Sequence, residues 1–192
     1  MSERVLVAGI GNIFLGDDGF GVAVAQELLR RGAFAGEDVK VGDYGIRGYD
    51  LAYEILEGHD AVVLIDATQR QDAPGTVYLI EADPDASMPD VEADPDHGQG
   101  AFQGHLMTPA AVFHLVRTLG GTMGRVLVVG CEPQTFGPEN IGQMELSEAV
   151  AAAVPEAVGT VERVVGELLL ETAVATGPAS AHAVAVGDTA DA

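Results

Sequence analysis

Apolar residues along the chain fall into short unbroken runs, separated by longer stretches in which they recur every three or four positions. Arg4-Val5-Leu6-Val7-Ala8-Gly9-Ile10 is one such run, closed by Gly11-Asn12. Asp60-Ala61-Val62-Val63-Leu64-Ile65-Asp66 is the cleanest, with a continuous apolar middle and a carboxylate at its end. Runs of this length without polar alternation suit strands buried on both faces, as in a sheet covered by helices on each side. Val126 to Gly130 reads the same way, and Val39 to Tyr44 gives a further strand. Thr76 to Glu81 alternates instead and follows the turn Asp72-Ala73-Pro74-Gly75, which makes it a candidate antiparallel edge strand.

The intervening stretches carry helical periodicity. A helix is expected from near Asp18, with Val22, Ala25, Leu28 and Leu29 on its buried face, and a second from Tyr49 to Leu56. A third is expected from Thr108, with Pro109 in its first turn and Val112, Phe113, Leu115, Val116 and Leu119 behind it, stopped by Gly120-Gly121. Ser147 to about Glu171 holds a last helix or pair, interrupted near Pro155. Strand and helix alternate, so the fold class is α/β with a largely parallel sheet. A single domain over residues 1–171 fits the length. Within it, Asp83 to Gly104 is an Asp-, Pro- and Gly-rich acidic loop, too long for an ordinary connection. Residues 172–192 lack an amphipathic pattern and are expected to be a disordered tail.

Composition then removes function classes. The 192 residues include 9 basic and 30 acidic side chains, a formal net charge of -21. Such a surface repels a phosphate backbone and an anionic membrane alike, so neither nucleic acid nor membrane is an expected partner. It attracts cationic partners and metal ions, although solubility alone also accounts for it. No apolar run is long enough for a membrane span. Cys131 is the one cysteine, which rules out an intrachain disulfide and makes a reducing cytoplasm the expected compartment.

The candidate chemistry begins with Gly9-Ile10-Gly11-Asn12-Ile13-Phe14-Leu15-Gly16-Asp17-Asp18-Gly19-Phe20-Gly21, a glycine-rich turn between strand and helix. A dinucleotide fingerprint would need a glycine where Phe14 stands, and the two acids would repel phosphate. Asp17 and Asp18 could each cap the coming helix, but one cap does not need two acids. Neighbours at a helix start point about 100° apart, so one could cap while the other projects into the cleft. Asp66 ends a central strand at the carboxyl edge, where ligands bind in open parallel sheets. If the first and third strands are neighbours, Asp66 and the Asp17-Asp18 turn face one crevice, and paired carboxylates there could bind a cation. Among the histidines, His182 falls in the tail, His59 at the opposite sheet edge and His114 within a helix, leaving His105 and His97 as candidate ligands. No His-Glu-x-x-His helix and no Gly-x-Ser-x-Gly elbow is present. Cys131, a lone cysteine at a strand end, reads as a small buried residue more readily than as a nucleophile.

Taken in order, several segments resemble one family. Gly9-Ile10-Gly11-Asn12 with Asp17-Asp18-Gly19-Phe20-Gly21, then Val63-Leu64-Ile65-Asp66-Ala67, Ala73-Pro74-Gly75-Thr76-Val77, Gly104-His105-Leu106-Met107-Thr108-Pro109 and Gly130-Cys131-Glu132-Pro133 are similar to motifs of the hydrogenase maturation endopeptidases. Members of this family remove a C-terminal extension from the large subunit of nickel-iron hydrogenases. The resemblance spans roughly residues 4 to 165. It implies a doubly wound, three-layer αβα fold with a mostly parallel sheet of about five strands. It implies Asp18, Asp66 and His105 as nickel ligands, with His97 as the alternative to His105. It further implies that the nickel is supplied by the precursor, with no organic cofactor, and that cleavage waits for metal insertion. Asp18 and Asp66 would then serve catalysis, with Asp17 as a candidate base or supporting residue. The rival readings are a non-catalytic nickel-binding chaperone of hydrogenase assembly and a nucleotide-binding α/β protein.

Overall fold

The computed structural model describes residues 4–83, 108–137 and 142–175. Five strands form one sheet: β1 (Val5–Ile10), β2 (Val39–Gly45), β3 (Ala61–Ala67), β4 (Val77–Ala82) and β5 (Arg125–Cys131), in the order β2-β1-β3-β5-β4. Four helices accompany them: α1 (Phe20–Arg31), α2 (Gly48–Leu56), α3 (Pro109–Thr118) and α4 (Glu148–Ala175). β1 pairs in parallel with β2 and β3, and β3 with β5, whereas β4 runs antiparallel to β5 at the edge. The mostly parallel doubly wound plan is the one the residue pattern and the family resemblance imply.

The unbroken apolar runs divide by parity. Val5 and Val7 of β1, with Val63 and Ile65 of β3, pack beneath α1 and α4. Leu6 and Ala8, with Val62 and Leu64, pack beneath α2 and α3 through Leu51, Ile55, Val112 and Val116. Both faces of the central strands are therefore dry, and water reaches the sheet only at its ends and edges. Thr108 caps α3, its side chain accepting from the Ala111 N–H, and Pro109 occupies the first turn.

Three expectations change. Residues 16–19 form a separate 3-10 turn before α1, so the α-helix begins at Phe20 rather than near Asp18. Leu29 is 51% exposed and Leu119 44%, because the buried stripes of α1 and α3 are narrower than their apolar content. Pro155 does not interrupt the last helix, which is continuous from Glu148 to Ala175 and reaches four residues past the expected boundary at residue 171. Val150, Ala153, Ala157, Val158 and Val161 are buried on both sides of the proline, and that packing holds the helix together where one backbone hydrogen bond is lost. The acidic loop at 83–104, apart from Asp83, and residues 176–192 lie outside the described residues.

Candidate active site

Glycines decide how closely α1 approaches the sheet. A methyl group on Gly21 would lie 2.0 Å from the Ile65 carbonyl oxygen and 2.3 Å from that of Ile10, and one on Gly9 would lie 2.3 Å from the Gly21 oxygen. The start of α1 therefore presses backbone against backbone on the carboxyl ends of β1 and β3. Gly11, at φ 125°, makes the turn, and a side chain there would meet the Asp18 carbonyl oxygen at 1.8 Å. The glycine-rich motif is a device for close packing of helix on sheet, not a phosphate cradle.

That packing sets Asp18 beside Asp66. Gly9 of β1 is level with Ile65 of β3, so Asp66 is the next residue beyond the paired ladder, at the sheet's carboxyl edge. Asp18, in the 3-10 turn, accepts the Asn12 N–H at 2.7 Å. Burial raises the Asp18 carboxyl above its ordinary range, and the Asn12 N–H opposes the rise. Burial pushes Asp66 up to about 8; the neighbouring charge of Asp18 adds to the rise, and the Ala67 N–H pulls against it. No ion pair joins either carboxyl to a basic side chain among the described residues. Two neighbouring carboxyls, each raised, favour a proton on one of them over two adjacent negative charges.

Asp17 is the adjacent residue with the opposite surroundings. It is fully buried, and its carboxylate accepts hydrogen bonds from the N–H groups of Gln134 (2.8 Å), Thr135 (2.9 Å) and Ser147 (2.6 Å) and from the Ser147 hydroxyl (3.0 Å). Neither Asp17 nor Asp18 caps α1: the cap position is Gly19, with no side-chain hydrogen bond. Glu132 is the second buried, fully bonded carboxylate. It accepts the Arg70 N–H at 2.7 Å, the Gln71 N–H at 3.2 Å and the Tyr78 hydroxyl at 2.8 Å. It thereby ties the loop that follows Asp66 to the end of β5, and Gln71 is held there at φ 66°. Sequence reasoning missed Glu132 and Ser147 as supports of this edge, since their partners lie 54 to 62 and 130 residues away.

Burial pushes the Cys131 thiol up to about 11, with the charges of Asp17, Glu132 and Glu156 adding to the rise. It stays protonated at neutral pH, which fits a small core residue and excludes a ready thiolate. His59 sits at the far end of β3 beside Glu54, and His114 is exposed on α3. His105 and His97 lie outside the described residues, and among those described no cluster of three or more His, Cys, Asp or Glu could hold a metal. The structure thus brings together Asp18 and Asp66 of the expected ligands.

Known proteins resemble this chain in sequence and in fold. A profile of the hydrogenase maturation protease family matches residues 22–164, from within α1 into α4. The chain is 32% identical over 163 residues to the hydrogenase expression/formation protein HupD of Rhizobium leguminosarum, covering 85% of this chain and 74% of that protein. The crystal structure of a hydrogenase 2 maturation peptidase from a Thaumarchaeota archaeon is 30% identical, with a TM-score of 0.57 over 85% of this chain and 98% of that one. The hydrogenase maturating endopeptidase HybD of Escherichia coli shares the fold at a TM-score of 0.65 and 24% identity, over 85% of this chain and 93% of that one. Among the described residues, no helix is long and apolar enough to cross a membrane. With a doubly wound sheet, a carboxylate pair at its carboxyl edge and a family match over most of its described length, the chain belongs to the hydrogenase maturation proteases and is a hydrolase of peptide bonds.

Proposed function

We propose that the chain cleaves the C-terminal extension from the large-subunit precursor of a nickel-iron hydrogenase once nickel has been inserted, and that Asp18 and Asp66, with His105, recognise that nickel. The observation that carries this reading is the Asp18–Asp66 pair: two partly buried carboxyls side by side at the sheet's ligand edge, with no ion pair to a basic side chain among the described residues. Such a pair is a poor partner for an apo precursor and a good one for a metal-bearing precursor, because only the metal removes both the desolvation penalty and the mutual repulsion. Nickel arrives as part of the substrate. Held between precursor ligands and these side chains, it supplies Lewis-acid polarisation of the scissile carbonyl or of a water. The protein's own residues hold the geometry: Asn12 orients Asp18 through its N–H, and Glu132 fixes the loop beyond Asp66. Asp17 serves as a brace for the 3-10 turn and not as a base, since its carboxylate is taken up by four hydrogen bonds.

The test is cleavage of large-subunit precursors, with and without nickel, read by intact mass. Loss of the extension from the nickel-loaded form alone is expected, and its loss from both forms would remove nickel recognition from the reading. An unchanged precursor mass in both arms, with the precursor retained, would favour a nickel-binding chaperone. Wild-type processing by Asp18→Ala, Asp66→Ala and His105→Ala variants would overturn the ligand assignment.

A further inference from the structure

On the β2 side of Asp18 the carboxyl edge of the sheet opens into a groove of about 200 Å³. One wall is the turn after β1, with Asn12, Ile13 and Phe14, and the other is the end of β2 and the turn after it, with Tyr44 and Ile46. Ile13, Phe14 and Ile46 are 40%, 55% and 56% exposed, an apolar surface around one cleft in a strongly acidic chain. Neighbouring exposed apolar side chains of this kind mark a contact surface. The volume falls below the roughly 300–1,000 Å³ of a pocket for a whole small ligand and suits a single large side chain.

Two constraints identify the occupant. Asn12 lines the groove and also donates its N–H to Asp18, so the groove lies next to the carboxylate pair. A polypeptide whose scissile bond lies over Asp18 and Asp66 must extend along the sheet edge, towards β2 on one side and β5 on the other. On the β5 side the N–H groups of Gln134 and Thr135 are taken by Asp17, and those of Arg70 and Gln71 by Glu132. Apolar contact area is offered towards β2. The polar groups beside the groove satisfy one another, with the Gln26 amide and the Arg47 guanidinium both donating to Asp43, so the apolar walls are left to select.

We propose that this groove seats one large aliphatic or aromatic side chain of the substrate polypeptide, in the extended segment that flanks the scissile bond. The inference rests on the reading of Asp18 and Asp66 as the cleavage site. It makes Ile13, Phe14 and Ile46 specificity determinants, which act on binding of the polypeptide and not on the metal.

The experiment measures KM and kcat by intact mass on a nickel-loaded large-subunit precursor that the wild-type protein cleaves. It compares Phe14→Ser, Ile46→Ser and Asp66→Asn with wild type, and repeats the series on precursors in which each large apolar residue near the cut is replaced by Asp. Phe14 and Ile46 are exposed, so both Ser variants are expected to fold, which circular dichroism checks. Expected is a KM raised about tenfold in each Ser variant with kcat within about twofold. One precursor substitution should raise KM similarly and add nothing further to Phe14→Ser. Wild-type KM in both Ser variants, with Asp66→Asn inactive, overturns the groove and leaves the cleavage-site reading standing. Cleavage by Asp66→Asn at the wild-type rate overturns that reading and the groove with it.

Discussion

Asp17 and Asp18 are neighbours in the chain and belong to different parts of the machine. Asp17 is buried at the meeting of three segments and accepts four hydrogen bonds, three of them from backbone N–H groups. Asp18 accepts the Asn12 N–H and lies near Asp66; burial raises both of those carboxyls above their ordinary range, and the charge of Asp18 adds to the rise at Asp66. A buried carboxylate that is fully bonded holds loops together, and removing it orphans its donors. One that lacks compensation stores unfavourable electrostatics that a cation relieves. Asp17 and Glu132 are buried, and Asp18 and Asp66 are partly buried, but burial alone does not say what each acid does. What fills the rest of each carboxylate's coordination does.

The largest expected effect falls on the uncompensated pair. Asp66→Ala should reduce cleavage of nickel-loaded precursor by at least about a thousandfold, equivalent to about 4 kcal/mol, without lowering the thermal midpoint of the metal-free protein. A fall in that midpoint together with retained cleavage would invert the contrast. Asp17→Ala should do the reverse and cost about 3 kcal/mol in chemical denaturation, because the N–H groups of Gln134, Thr135 and Ser147 lose their acceptor. Unchanged stability in that variant would show that water replaces the carboxylate and would deny it the role of brace. Gly21→Ala should cost about 1–3 kcal/mol and also slow cleavage, since relief of the clash with the Ile65 oxygen moves α1 and Asp18 off the sheet edge.

The smallest effect, taken per pH unit, is on pH dependence. Asp66 has a folded pKa near 8, above the ordinary carboxylate value of 3.8, so between those values the folded state binds more proton than the unfolded one. Its contribution to metal-free stability is therefore present at low pH and is lost as pH rises from about 4 towards 8. The slope cannot exceed about 1.4 kcal/mol per pH unit for one proton. Asp66→Asn should flatten that limb of the stability curve, as followed by denaturant midpoints across the range. Glu132 acts with the opposite sign. Burial would raise its pKa, but the Tyr78 hydroxyl and the Arg70, Asp72 and Gln71 N–H groups outweigh it and lower the value. Its support is therefore present above the unfolded carboxyl range and is lost on acidification through its lowered folded pKa.

Much of the frame was legible because buried parallel strands need unbroken apolar runs, and no other element of that length uses them. Ala61 to Ala67 and Arg125 to Cys131 lie within a residue or two of where the pattern placed them, and Thr108-Pro109 announced a helix start that the structure keeps. Pro155 and Leu29 were misread for one reason. Local rules price a proline or a leucine by its neighbours in sequence, whereas burial of α4 and the width of the stripe on α1 are set by what packs against them. The site was legible in part. Asp66 stood out by its position at a strand end, and the glycines by their density, though their purpose was hidden: nothing local says that Gly21 must touch Ile65.

By itself, then, the sequence determined the α/β alternation, the burial of the central strands on both faces and the presence of acids at the carboxyl edge, since these follow from periodicity and strand ends. Only the tertiary structure decided which of two adjacent aspartates has its carboxylate taken up by hydrogen bonds. The hydrogen bonds that occupy Asp17 come from residues 117 to 130 positions away, and the charge that perturbs Asp66 comes from a turn brought to it by glycine-thin packing. Coordination and desolvation are properties of space, and the linear order of residues carries them only once the chain has folded.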